Sequence, residues 1–271
     1  MNFRGKLVLV GAGKMGGAML EGWLGRGIPA AQIAVLDPAP GAEIARLIAD
    51  RGVILNPPLN GLSDVSVLVL AVKPQIMGDV LPGLVSLAEQ RPLIISVAAG
   101  KTTGFFEKAF GADKAIVRAM PNTPAAIGRG ITVLFPNGNV SSDQIGLAEE
   151  LLAAVGEVAR ISNEDLMDAV TAVSGSGPAY VFYLTECLAA AGVRAGLPED
   201  LATRLARATV SGAGELMRVT GLPATTLREN VTSPGGTTAA ALAVLMAADG
   251  IRPVLDSAVA AAARRSRELA G

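Results

Sequence analysis

The chain has no histidine among its 271 residues. That absence removes Ser-His-Asp triads, Cys-His pairs and most zinc sites together, and no metal site is expected. A single cysteine, Cys187, excludes an internal disulfide, and its helix-like setting YVFYLTECLAAAGV reads as that of an inert buried thiol. Aromatic residues make up only 3% of the chain against 51% hydrophobic, so the core must be built from small and aliphatic side chains. Lysine stops at Lys114, the net charge is −1, and no polybasic patch offers a footprint for nucleic acid. No run of about 18 apolar residues occurs, so no membrane span is expected. The opening MNFRGKLVLVGAG lacks the longer apolar core of a signal peptide, and a reducing cytoplasm is the expected setting. Proton chemistry must therefore come from Thr, Ser, Tyr, Lys, carboxylates or water.

What is present is a strong alternation. Short β-branched runs at 6–10, 33–37, 67–72, 93–97, 115–119, 131–135 and 157–161 are separated, in several places, by helical stretches such as MGGAMLEGWLGRG and AEIARLIADRG. The early runs are apolar on both faces, as buried parallel strands are. After Ser162 the strands stop, and helical runs are punctuated by GSGP, GLP, GLP and SPGG. The expected fold is α/β: an N-terminal Rossmann-like doubly wound sheet over 1–161, followed by an all-helical C-terminal domain over 162–271. The closing SAVAAAARRSRELAG offers an alanine face for packing against another chain.

GAGKMG (11–16) fits the GxGxxG pattern directly after the first strand and opens a helix. Gly11, Gly13 and Gly16 allow the tight turn, the close approach of a pyrophosphate and close helix–strand packing, while Lys14 and Met15 begin the helix. Its N-terminus offers amide donors to phosphates. Asp37 ends the second strand, where a carboxylate can accept from adenosine ribose hydroxyls and repel a 2′-phosphate. The following PAPG carries no arginine, so NADH is favoured over NADPH, with Asp37 as a simple turn cap the alternative. Three more loops leave strand ends on the ligand side of such a sheet: AVKP (Ala71, Val72, Lys73), SVAAG (with Ala98 and Ala99) and RAMPNTP (with Met120, Pro121 and Asn122). Any one of them alone is ordinary turn chemistry. Gathered at one sheet edge opposite a dinucleotide loop, they are candidate cofactor contacts, except Asn122, which is a candidate substrate contact.

Taken in order, GAGKMG, AVKP, SVAAG, RAMPNTP, SGSGPAY (174–180) and VTSPGGTT (231–238) closely resemble the Δ1-pyrroline-5-carboxylate reductase family over nearly the whole chain. The last three motifs are far more specific than GxGxxG. The resemblance implies reduction of the cyclic imine of pyrroline-5-carboxylate to L-proline by NAD(P)H. It also implies a dinucleotide-binding first domain, and a helical second domain that binds substrate and forms a homodimer. Larger rings follow from the same resemblance, a decamer of dimers among them.

A small ring bearing one carboxylate suits VTSPGGTT. Gly235 and Gly236 let backbone N–H groups approach the anion, and Ser233, Thr237 and Thr238 add hydroxyls without any charged side chain. The resemblance assigns Thr238 a hydrogen bond to the imine nitrogen. An orienting donor fits better than a free general acid, since a threonine hydroxyl is a poor acid unaided. Helix capping is the alternative for Thr237 and Thr238. Ser176, in SGSGPAY, is a candidate substrate contact beside an equally open packing role, and Lys73 stands evenly between ligand contact and solvated loop. Many family members use NADPH and carry Ser, Thr or Asn where Asp37 stands, so this position is a departure. A β-hydroxyacid dehydrogenase would need a base, usually a lysine in the helical domain, and none follows Lys114.

Overall fold

The structure, a computed structural model, describes residues 4–270. The chain runs β1 (Lys6–Val10), α1 (Lys14–Gly25), β2 (Ile33–Leu36), α2 (Ala42–Arg51), β3 (Ile54–Leu55) and β4 (Val65–Leu70). Two short helices, α3 (Met77–Val80) and α4 (Val85–Ala88), lead to β5 (Leu93–Ser96), α5 (Thr103–Phe110) and β6 (Ile116–Met120). Then come β7 (Gly130–Pro136), α6 (Ser142–Leu152) and β8 (Gly156–Arg160). The remainder is helical: α7 (Met167–Val170), α8 (Gly177–Arg194), α9 (Glu199–Thr220), α10 (Ala224–Asn230), α11 (Thr237–Leu245) and α12 (Ile251–Ala270).

The strands form one sheet in the order β3-β2-β1-β4-β5-β6-β7-β8. Successive residues point to opposite faces, and both faces of the sheet interior are covered, so its central strands are apolar almost throughout. Leu7, Leu9, Val67, Val69 and Ile95 meet Met19, Leu20 and Trp23 of α1 and Leu151 and Leu152 of α6. Val8, Val10, Leu68, Leu70 and Ile94 meet Leu84, Leu87 and Phe106 on the other side. The Trp23 indole N–H donates to the Leu151 carbonyl at 2.9 Å, so the largest buried side chain brings no unpaired donor into the core.

Two features depart from the sequence expectation. The two-residue strand β3 extends the sheet beyond β2, too short to leave a periodic signal. Strand β7 runs antiparallel to β6, because a brief turn at Thr123–Ile127 joins them where a crossover helix would be needed for parallel pairing.

The sheet ends at Arg160, beside the expected boundary at 161/162, but the compact unit built on it continues to residue 175 and also takes in 263–270. Segment 164–175 is helical as expected, yet it bonds to the sheet unit: Glu164 reaches Thr103 and Arg118, and Gly175 lies against Met120. The last turns of α12 belong here too, with the Ser266 hydroxyl donating to Asp168 at 2.6 Å. That part of the alanine-rich helix therefore packs on its own chain.

The second unit, residues 176–262, is built on the α8–α9 hairpin. Small residues allow its close contact: a Cβ at Gly192 would lie 3.2 Å from the Cβ of Ala202. Much apolar surface stays uncovered within the chain, with Phe182 62% and Tyr183 67% exposed. Cys187 shares this exposure, which corrects the expected burial: it lies on a face of α8 left open within one chain, and no residue of that helix is fully buried. One turn before it, the Tyr183 phenol is pushed above its usual pKa, chiefly by its hydrogen bond to Cys187. Among the described residues, no helix is long and apolar enough to cross a membrane, and no cluster of three or more metal-ligating side chains occurs.

Candidate active site

Strand β1 lies between β2 and β4, where the direction of connection reverses and a crevice opens beyond the strand ends. Gly11 sits there with φ +90°, a conformation that favours glycine. A Cβ on it would lie 2.8 Å from Val72 Cγ1 and 2.9 Å from the Ala71 carbonyl carbon, so the first and fourth strand ends meet through this residue. A Cβ at Gly16 would run into the Gly11 carbonyl oxygen. Gly13 is different: it is exposed, it caps α1, and no atom lies within 4 Å of where its Cβ would be. That free space lies against the first-turn amides of α1, which have no intrahelical acceptors and no acidic side chain among them. Exposed Lys14 and half-buried Met15 open the helix. Such an arrangement suits a pyrophosphate.

Asp37 stands at the neighbouring strand end. Its Oδ2 accepts the Ala12 N–H at 2.7 Å, and its Oδ1 accepts the Ala39 N–H at 2.9 Å. Each oxygen keeps a further lone pair for a ribose hydroxyl. The backbone of Asp37 is gripped in turn by Asn56, whose Oδ1 accepts the Asp37 N–H at 2.9 Å and whose Nδ2 donates to the Asp37 carbonyl at 2.7 Å. Sequence reasoning missed Asn56. Its one signal is an asparagine before Pro57 and Pro58, a type that tolerates the left-handed φ of 48° found there.

The remaining loops lie on the same edge. The Ala71 N–H donates to the Val10 carbonyl and the Val97 N–H to the Leu70 carbonyl, continuing the strand ladder into both loops. Ala71 and Val72 are half-buried and Lys73 exposed; Ala98 is buried and Ala99 exposed; Met120 is half-buried and Pro121 buried. Asn122 Oδ1 accepts the Ile131 N–H at 3.0 Å, so this side chain braces its own loop. A Cβ at Gly175 would lie 2.5 Å from Met120 Cε, which places Gly175 beside the end of β6. The Ser174 hydroxyl turns back to the Val170 carbonyl, and half-buried Ser176 begins the second unit.

Beneath these loops lies a cluster that the sequence did not disclose. Glu164 Oε1 accepts the Thr103 N–H at 2.9 Å and Arg118 Nη1 at 3.0 Å, while Oε2 accepts the Thr103 hydroxyl at 2.8 Å. Arg118 is only 5% exposed.

In the second unit, VTSPGGTT forms a tight elbow. The Gly236 N–H donates to the Ser233 carbonyl at 3.0 Å, and Gly235 takes φ +71° with no atom within 4 Å of a would-be Cβ. A Cβ at Gly236 would sit 2.5 Å from Ser233 Oγ. Gly236 is the cap of α11 and no side chain caps that helix, so neither Thr237 nor Thr238 is engaged as its N-cap. Thr237 is exposed and Thr238 half-buried. A charge-free elbow of exposed amides and hydroxyls at a helix N-terminus can hold a small carboxylate.

Known proteins match both units. Residues 164–269 match the family described as pyrroline-5-carboxylate reductase dimerisation, and residues 6–100 match NADP oxidoreductase coenzyme F420-dependent. The pyrroline-5-carboxylate reductase of Synechocystis sp. is 43% identical across 97% of this chain and 98% of its own. The chain belongs to the pyrroline-5-carboxylate reductase family. A Pseudomonas aeruginosa reductase is 39% identical across 98% of this chain and 97% of its own. Among solved structures, a pyrroline-5-carboxylate reductase from Coxiella burnetii superposes with a TM-score of 0.91 at 36% identity, covering 98% of this chain and 99% of that one. The Plasmodium falciparum pyrroline carboxylate reductase with NADP bound superposes at 0.81 with 30% identity, covering 98% of each chain. The open space where a Cβ at Gly13 would stand, against the first turn of α1, has room for a dinucleotide's pyrophosphate.

Proposed function

We propose that this chain is a pyrroline-5-carboxylate reductase, converting the cyclic imine of 1-pyrroline-5-carboxylate to L-proline. The single observation that carries the substrate reading is the elbow at Ser233–Thr238, charge-free, with Gly235 free of steric cover beside the N-terminus of α11. Its backbone N–H groups, with Ser233 and Thr237, hold the substrate carboxylate. Thr238 donates a hydrogen bond to the neutral imine nitrogen, and its oxygen accepts the N–H once that nitrogen is protonated, so the hydroxyl fixes the C=N face in either form. Asn122 and Ser176 complete the substrate contacts. Bound NAD(P)H supplies the hydride to the imine carbon, while the nitrogen gains its proton from solvent or through the Thr238 hydroxyl.

Gly11, Gly13, Lys14, Met15 and Gly16 hold the pyrophosphate, and Ala71, Val72, Lys73, Ala98, Ala99, Met120 and Pro121 line the cofactor beyond it. Asp37 favours NADH over NADPH: the PAPG stretch after it offers no cation to a 2′-phosphate, and the carboxylate repels one. Residues 1–161 serve as the dinucleotide domain and 162–271 as the substrate-binding and dimerisation domain. The apolar surface of α8 and α9 supports a homodimer, and a decamer of dimers is the larger assembly to look for by mass measurement. A net charge of −1 offers no electrostatic footprint for nucleic acid, and a cytoplasmic enzyme without nucleic-acid or membrane partners is part of the same proposal.

The test is a paired steady-state assay with pyrroline-5-carboxylate as acceptor, following NADH and NADPH oxidation separately. Turnover with a higher kcat/KM for NADH is the expected result. A higher value with NADPH would overturn the role of Asp37 alone, and no oxidation of either by folded protein would overturn the reductase reading.

A further inference from the structure

We infer that Glu164 is a positioning residue for the nicotinamide half of the dinucleotide site. The inference rests on the dinucleotide reading above. With the phosphate loop after β1 and the ribose carboxylate Asp37 after β2, the adenosine half lies over the β2 side of the switch point. The nicotinamide half must then extend the other way, over β4, β5 and β6. At a strand spacing of about 4.8 Å, the ends of β5 and β6 stand roughly 10 and 14 Å from β1.

Glu164 holds the stems of the two outer loops. Thr103, which opens α5 three residues after Gly100, gives the carboxylate both its N–H and its hydroxyl, at 2.9 and 2.8 Å. Arg118, two residues before Met120, gives it Nη1 at 3.0 Å. One carboxylate thus ties the loop carrying Ala98 and Ala99 to the loop carrying Met120 and Pro121. Arg118 is nearly sealed from water, so solvent is a poor substitute for the lost partner. The same segment returns to the second loop through Gly175, against Met120. It is also braced at Asp168 by Ser266. Nothing in this cluster reaches the phosphate loop or Asp37, whose bonds run to Ala12, Ala39 and Asn56.

The consequence is separable by binding alone. Isothermal titration would compare NADH and NADPH with their nicotinamide-free fragments, ADP-ribose and 2′-phospho-ADP-ribose, on the parent and on Glu164→Gln and Thr103→Val. The expected result is a loss of about tenfold in affinity for the tighter whole dinucleotide in Glu164→Gln, a smaller loss in Thr103→Val, and unchanged affinity for the fragment. Equal losses for dinucleotide and fragment would mark general loosening and overturn the inference, as would parent-like binding of both. Should Glu164→Gln fail to fold, Thr103→Val carries the same comparison. A folded parent that binds neither dinucleotide nor fragment overturns the functional reading beneath it.

Discussion

Asp37 Oδ2 accepts the N–H of Ala12 at 2.7 Å, locking the end of β2 to the glycine loop after β1. The carboxylate is therefore part of the loop's construction as well as its charge. Asp37→Ser removes the repulsion toward a 2′-phosphate while keeping an oxygen near Ala12. The ratio of kcat/KM for NADPH over NADH is expected to rise about tenfold. An unchanged ratio in paired kinetics would leave Asp37 as a turn residue only.

Gly13 and Gly16 make a matched pair. A side chain at Gly13 meets no protein atom, whereas one at Gly16 meets the Gly11 carbonyl. Gly13→Val should keep the parent melting temperature and lose dinucleotide binding; Gly16→Val should lower the melting temperature itself. Thermal scans with and without NADH separate the two, and a destabilised Gly13→Val would contradict the open space described.

Thr238 does not cap α11, so its hydroxyl is not spent there and can make the imine contact proposed above. Thr238→Val should lower kcat about a hundredfold, the scale of losing one aimed donor, with NAD(P)H affinity within twofold of the parent. Stopped-flow turnover and dinucleotide titration together check it, and parent-like turnover would remove Thr238 from the mechanism.

Thr132, in the interior of β7, buries a hydroxyl that finds no hydrogen-bond partner. Thr132→Val replaces it with a methyl of the same shape. Stability should rise by about 1 kcal/mol, read from the denaturant midpoint at constant m-value. A lower midpoint would show that the hydroxyl is satisfied after all.

The strands of the sheet interior were legible because both faces are buried, so Leu7 to Val10 or Val67 to Leu70 read as unbroken apolar runs. The phosphate loop was legible because only glycine meets its steric demands at Gly11 and Gly16. Strand β3 was not, since two residues carry no period. The direction of β7 was hidden in the length of a connection, a property of the loop and not of the strand. Cys187 misled because apolar neighbours in sequence imply burial in the chain, yet α8 presents them outward. Glu164 left no signal and Asn56 only the turn-like asparagine before two prolines, for each acts by side-chain bonds to partners between 19 and 61 positions away. Polar pairing at that range follows from the fold and cannot precede it.

The sheet unit is interrupted in the chain: its last piece, residues 263–270, is made only after the whole of the second unit. A nascent chain can close the sheet and its glycine loop early, but the Asp168–Ser266 bond and the covering of Gly100 by the Leu269 backbone must wait. The chain thus leaves the sheet unit at Gly175 and rejoins it at Ala263, with the whole helical unit made in between.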